Sequence, residues 1–227
     1  MSGKRTLRLG LAACVFSLLA CGGWAQGVGD ERAGVAAPAG GGQAEKKPTV
    51  TDRLQVVYSR LTNQASELAA FATKADEEKD FRIGSLLRAA ARSSQLSANL
   101  IAEQIRQAGG KPEAKPEPKP VDVKGTKDNL KAAAARVRSL RDGPVADGTT
   151  QANAERNRDA VRVLRFARES STELVRWLED AAEGGAQWTG ETREFFVDRT
   201  CGRLVDKLDF ERCPVCQSRR DSYERVN

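Results

Sequence analysis

Apolar residues recur at three- and four-residue spacing along four stretches of the 227-residue chain. The first stretch carries Leu54, Val57, Tyr58, Leu61, Ala65, Leu68, Ala72 and Ala75. That stripe predicts an amphipathic helix, with Thr51 or Asp52 as its N-cap. Lys79-Asp80 reads as a turn. A second helix follows, with Ile83, Leu87, Ala90, Ser94, Ala98, Ile101 and Ile105 on one face, and it stops at Gly109. The third starts at the cap candidate Thr126 and carries Leu130, Ala133, Ala134, Val137 and Leu140; Gly143-Pro144 bends or ends it. The fourth carries Ala160, Leu164, Ala167, Ser171, Leu174 and Leu178, and stops at Gly184-Gly185.

These helices fall into two blocks. A Pro/Lys/Glu-rich stretch within a crossover at 109–125 separates them and is expected to be extended. The blocks are weakly alike: Asp52-Arg53-Leu54 matches Asp128-Asn129-Leu130, and Ala91-Arg92-Ser93-Ser94 matches Arg168-Glu169-Ser170-Ser171. Two similar hairpins joined by a long crossover predict a ferritin-like four-helix bundle over 49–187. The fold class is therefore mainly α, followed by a small cysteine-bearing β tail over 190–227.

Composition narrows the chemistry. The chain has no histidine, which excludes Ser-His-Asp and Cys-His nucleophile systems and every imidazole-bound metal. It has 37 basic and 31 acidic residues, a net charge of +6. Part of that excess belongs to Lys4, Arg5 and Arg8, which precede the apolar run Leu9 to Ala20. A basic start and a short apolar run predict a secretory signal over 1–20. Without its three basic residues the balance is 34 − 31 = +3. No basic patch interleaved with aromatics remains, so nucleic acid is not an expected partner. Leu18-Leu19-Ala20-Cys21-Gly22 resembles a bacterial lipobox, which makes Cys21 the lipidation candidate; Gly23-Trp24-Ala25 is the competing, ordinary secretory site. Gly/Ala-rich residues 21–48 read as a flexible tether. The expected location is the bacterial cell envelope, lipid-anchored or else soluble and exported. The candidate partners are the membrane, through the lipidated N-terminus, and a second copy of the chain.

Di-metal bundles place a Glu on each of two helices and a Glu-x-x-His on each of the other two. Here the inward stripes carry other residues. Ser94 and Ser97 have the right spacing on the second helix; Ser171 and Leu174 hold the matching places on the fourth. Inward serines can bond their own helix backbone.

Several segments resemble the rubrerythrin family. Phe71-Ala72-Thr73-Lys74-Ala75-Asp76-Glu77-Glu78, followed by Phe81, resembles the end of its first helix and the turn. Leu86-Leu87-Arg88-Ala89-Ala90-Ala91-Arg92 resembles the run before its first Glu-x-x-His. Thr126-Lys127-Asp128-Asn129-Leu130-Lys131-Ala132-Ala133 resembles the start of its third helix, and Pro144 that helix's proline. The resemblance implies a peroxide-reducing di-iron centre held by carboxylates and histidine. Its ligand positions fall on Leu61, Ser94, Ser97, Val137, Leu140, Ser171 and Leu174; aligned from Pro144, the third-helix pair falls instead on Ala135 and Arg138. None is a ligand, so no di-iron centre and no peroxidase activity are expected. The bundle reads as a scaffold.

The tail carries the remaining chemistry. Cys213-Pro214-Val215-Cys216 with Tyr223-Glu224-Arg225-Val226 resembles the second knuckle and closing strand of that family's rubredoxin-like domain. Val197-Asp198-Arg199-Thr200-Cys201-Gly202 has the frame of the first knuckle, with Asp198 where a cysteine would stand. Cys201, Cys213, Cys216 and Asp198 are thus the metal candidates, for one zinc or iron ion. A Cys213–Cys216 disulfide and a thiol redox pair are the alternatives. Without metal, Phe195, Phe196, Leu204, Val205, Leu208 and Phe210 must hold the tail. The functional expectation is an envelope-anchored scaffold or binding module with one mononuclear site. The alternative is electron transfer through a tail-bound iron. Arg136, Arg138, Arg141, Arg158, Arg162 and Arg165 engage acidic partners or form an ordinary solvated face.

Overall fold

The computed structural model describes residues 47–116 and 121–227. The expected signal segment, Cys21 and nearly all of the tether lie outside the described residues. Helix α1 (Val50–Glu77) begins earlier than its stripe implies: Thr49, not Thr51 or Asp52, is the N-cap. Thr49 Oγ1 accepts from Asp52 N–H at 3.2 Å, and Thr49 N–H donates to the Asp52 carboxylate at 2.8 Å. This reciprocal capping box satisfies two orphan donors at once, which neither later candidate does. Lys79, at φ 66, turns the chain into α2 (Phe81–Gln107).

Residues 111–116 of the crossover form neither helix nor strand, and they are pinned to α1. Gln55 and Asn63 amides and the Ser59 hydroxyl donate to the carbonyls of Glu113 and Lys115 at 2.5–2.9 Å. These three positions share one helical face.

Helix α3 (Thr126–Leu140) also differs at its start. Gly125 is the cap position and Thr126 is the first helical residue. The Thr126 N–H is satisfied from another helix end, by the Glu78 carboxylate at 2.9 Å. That bond, helped by Lys74, holds the Glu78 carboxyl below its ordinary range. A lowered folded pKa adds stability above the unfolded value, about 4.3, and the gain is lost as pH falls through the folded value. The stability difference between wild type and Glu78→Gln is therefore expected to be constant near neutrality and to shrink in acid. Urea unfolding at several pH values checks this; a pH-independent difference would refute it.

Pro144 does not end the third rod. Arg141–Val145 widen into a π-helical turn around the proline, and α4 (Ala146–Ala154) continues. Helix α5 (Arg158–Glu183) is capped by the Asn157 side chain and ends at Gly184, φ 81. Among the described residues no helix is long and apolar enough to cross a membrane.

The tail forms a small antiparallel sheet of β1 (Phe195–Asp198), β2 (Leu204–Val205) and β3 (Tyr223–Val226), in the order β2–β1–β3. It is packed on the bundle. Phe195, Val197 and Leu204 are buried in one cluster with Leu86 and Leu87 of α2 and Leu178 of α5. Trp177 meets Trp188 and Phe195 edge to face, with centroids 6.0 Å apart. Arg92 pairs with Glu224, and Arg88 Nε donates to the Asn227 carbonyl at 2.6 Å. Of the residues expected to hold the tail, Phe195, Leu204 and Val205 are buried, while Phe196, Leu208 and Phe210 are partly buried against Phe166, Cys201 and Cys213.

Candidate metal centre

The two knuckles share one hydrogen-bond pattern. In the first, Gly202 N–H donates to the Asp198 carbonyl at 2.8 Å, and Asp198 N–H donates to Arg203 at 2.9 Å. In the second, Gln217 N–H donates to the Cys213 carbonyl at 2.9 Å, and Cys213 N–H donates to Ser218 at 2.8 Å. The fifth residue of each is left-handed: Gly202 at φ 77, Gln217 at φ 64. Asp198 is therefore the structural counterpart of Cys213, and Cys201 of Cys216. The three cysteines are free.

The knuckles converge. One ligand atom from each of Asp198, Cys201, Cys213 and Cys216 lies within 4.8 Å of all the others. Cys201 Sγ and Cys213 Sγ are 3.8 Å apart. Asp198 Oδ2 is 3.3 Å from Cys201 Sγ and 3.1 Å from Cys216 Sγ. A tetrahedral ion with bonds of about 2.3 Å to sulfur and ~2.0 Å to oxygen needs edges of roughly 3.8 Å and 3.5 Å. The donor set fits such an ion. In the metal-free protein the same distances serve thiols donating to the carboxylate.

Asp198, Cys201 and Cys213 are buried and Cys216 is half-buried. Burial pushes the Cys201 thiol up, and the neighbouring Asp198 and thiols add to it. Burial also works to raise Asp198, but Thr200 N–H and the Cys216, Ser218 and Ser222 side chains outweigh it and keep the carboxyl below its ordinary range. Four anionic donors this close repel one another strongly, and a cation among them removes that cost. The donor chemistry is thus suited to a metal that displaces the thiol protons.

No family model matches the sequence, and no curated protein matches it. Solved structures of nigerythrin match its fold. A mixed-valent state aligns at TM-score 0.69 with 20% identity, covering 80% of this chain and 90% of that one. A fully reduced, all-ferrous state aligns at 0.69 with 20% identity, covering 81% and 91%. The chain has the nigerythrin fold. That fold is the ferritin-like bundle and rubredoxin-like tail of the rubrerythrin family, and at this identity the likeness carries the fold alone.

Within this nigerythrin-like bundle the positions equated with di-iron ligands are all buried. Leu61, Val137, Leu140 and Leu174 are apolar core residues. Ser94 Oγ donates to Ala90 O on its own helix at 2.9 Å and accepts from Gln64 Nε2 at 2.8 Å. Ser97 Oγ is 3.5 Å from Ser170 Oγ, and Ser171 is buried on the same helix as Ser170. Ala135 and Arg138, the alternative pair, lie on the exposed face of α3. Gln64 and Glu67, both buried on α1, escaped the sequence reading because a long polar or charged side chain, unlike a small serine, does not register in an apolar stripe. Glu67 pairs with Arg136 at 3.1 Å. The arginine faces spend much of their charge internally: Arg138 pairs with Glu179, Arg141 with Asp142 and Arg162 with Asp159.

Ser218 and Ser222, which surround the cysteine cluster together with Tyr223 of the closing strand, were also missed. Only the proximity of Ser218 to Cys216 in the sequence hinted at one of them.

Proposed function

We propose that this chain is a mononuclear metal protein of nigerythrin fold. Its tail holds one zinc ion through Asp198, Cys201, Cys213 and Cys216, and its bundle is the scaffold or binding module on which the tail is mounted. The convergence of four complementary donor atoms within 4.8 Å carries this reading. Zinc accepts mixed sulfur and oxygen ligands in a closed tetrahedral set, the usual form of a structural site. Such an ion, when bound, supplies a cross-link between two knuckles. The chain's own residues do the rest: Thr200 and the serines orient the carboxylate, and Phe166, Val205 and Tyr223 shield the sulfurs. The leucine, valine and serine residues at the seven bundle positions support a scaffold role in place of di-iron chemistry. Export and anchoring through Cys21 complete the proposal, because acyl chains add about 0.8 kcal/mol of membrane affinity per buried CH₂.

A second reading has specific support. Cys216 is half-buried, a route for electrons to a tail-bound iron, and the nigerythrin structures are mixed-valent and all-ferrous states.

Metal analysis with an absorption spectrum decides between them. The full chain purified from membranes is expected to carry one zinc, no visible absorption, and acyl chains on Cys21. One iron with thiolate charge-transfer bands selects the electron-transfer reading. Two irons per chain with peroxide turnover, or no metal at all, overturns both.

A further inference from the structure

Asp198 is held by more groups than a simple ligand needs. Its Oδ1 accepts from Thr200 N–H at 2.8 Å and from the Ser222 hydroxyl at 2.9 Å. Its Oδ2 accepts from the Ser218 hydroxyl at 2.8 Å. The two serine oxygens are 2.9 Å from each other, and Ser218 Oγ is 3.1 Å from Cys216 Sγ. Each hydroxyl has one proton, and both carboxylate oxygens are served when Ser218 donates to Oδ2 and Ser222 to Oδ1.

The lone pairs can be counted. A carboxylate offers about four acceptor sites. Thr200 and Ser222 take both on Oδ1, and Ser218 takes one on Oδ2. One remains, on the oxygen that lies 3.1 and 3.3 Å from two of the thiol sulfurs. Both serines come from the segment after Cys216: Ser218 two residues on, Ser222 at the end of the short 3-10 turn Arg220–Ser222. The second knuckle therefore orients the ligand of the first.

We infer that Ser218 and Ser222 are positioning residues that restrict Asp198 to one ligating oxygen, which makes the site four-coordinate and selective for a cation of zinc's preferences. A bidentate carboxylate would raise the coordination number and suit cations that seek more oxygen ligands. In this chain Oδ1 is saturated and cannot join. The alternative of two idle hydroxyls fails because each is within 2.9 Å of a different carboxylate oxygen. This inference rests on the metal-site reading above.

The test uses the full chain, stripped by chelator and reloaded with Co²⁺ or Zn²⁺ alone. Wild type is expected to give the intense ligand-field bands of tetrahedral Co²⁺. Ser222→Ala frees Oδ1, so the bands are expected to weaken as a fifth ligand enters. Its Zn²⁺ affinity, read by competition with a chromophoric chelator, is expected to fall about 10–100-fold. Ser218→Ala is expected to lose affinity similarly, and Ser222→Thr, which keeps the hydroxyl, to restore both readouts. Helical circular dichroism reports whether each variant keeps its bundle. A Ser222→Ala variant with the wild-type spectrum overturns the inference, whether or not affinity falls, because a merely structural role would leave the coordination number unchanged. A wild-type chain that takes up neither ion overturns the site reading, and this inference with it.

Discussion

Cys213→Ser is expected to abolish the metal binding proposed for the tail, and to cost the tail its fold, while the helical bundle survives. Cys213 is fully buried, and it anchors the second knuckle through both its backbone groups. Its sulfur is the one 3.8 Å from Cys201, across the two knuckles. The tail has only three short strands, and its apolar residues are shared with α2 and α5. Structural zinc contributes about 10–16 kcal/mol in small domains, comparable to the whole stability of an ordinary domain at about 5–15 kcal/mol. The bundle has its own support: Leu54, Val57, Leu61, Ile101, Ile105 and Leu164 form a cluster with no tail residue in it. The measurements are metal content, limited trypsin digestion and helical circular dichroism. The expected pattern is no metal, rapid cleavage at the tail arginines, and little change in helix signal. A metal-free variant whose tail still resists trypsin would show that packing alone holds it.

Gly202→Ala is expected to loosen the tail from the bundle at a cost of about 2–4 kcal/mol. Gly202 sits at φ 77, where a Cβ costs roughly 1–2 kcal/mol. That Cβ would stand 2.8 Å from Ser97 Oγ and 3.1 Å from the backbone oxygen of Ser93. The Ser97 hydroxyl can rotate away; the α2 backbone cannot. Moving the knuckle outward also stretches the bond from Ser93 Oγ to the Gly202 carbonyl, 2.5 Å long and worth about 0.5–1.5 kcal/mol. Urea unfolding of the single variants and of the pair with Ser97→Ala checks this. The pair is expected to recover part of the loss, because the two residues meet directly. A loss under about 0.5 kcal/mol for Gly202→Ala would mean that the contact yields without strain. Ser97 thereby acquires a reason for its size. It stands where the family resemblance places a histidine, and it is small because the first knuckle rests on it.

The four rods were legible because an apolar stripe at helical period must face a common core, and every residue named in those stripes except the half-buried Tyr58 is buried. Their ends were less so. Thr49, Thr51 and Asp52 are all cap-type residues, and only the reciprocal bond between Thr49 and Asp52 selects the first. Thr126 looked like a cap because its true acceptor, Glu78, comes from another helix. The cysteine cluster was legible for a different reason: the two knuckles repeat the same local spacing, so Asp198 could be placed by frame against Cys213. Ser218 and Ser222 carry no such periodicity. Their role exists only once the second knuckle folds over the first.

By itself the sequence determined the local events: which segments are helical, where glycine and proline interrupt them, which four side chains are competent to hold a metal, and that imidazole plays no part. These follow from side-chain chemistry and short-range spacing. The tertiary structure alone decided how those parts meet. It seats the first knuckle on Ser93 and Ser97, 109 positions from Ser93 to Gly202 in the chain. It buries Gln64 and Glu67 within the bundle, and it turns two serines onto one carboxylate. Such contacts join residues with no shared local period, and chain geometry leaves them open until the helices pack and exclude water.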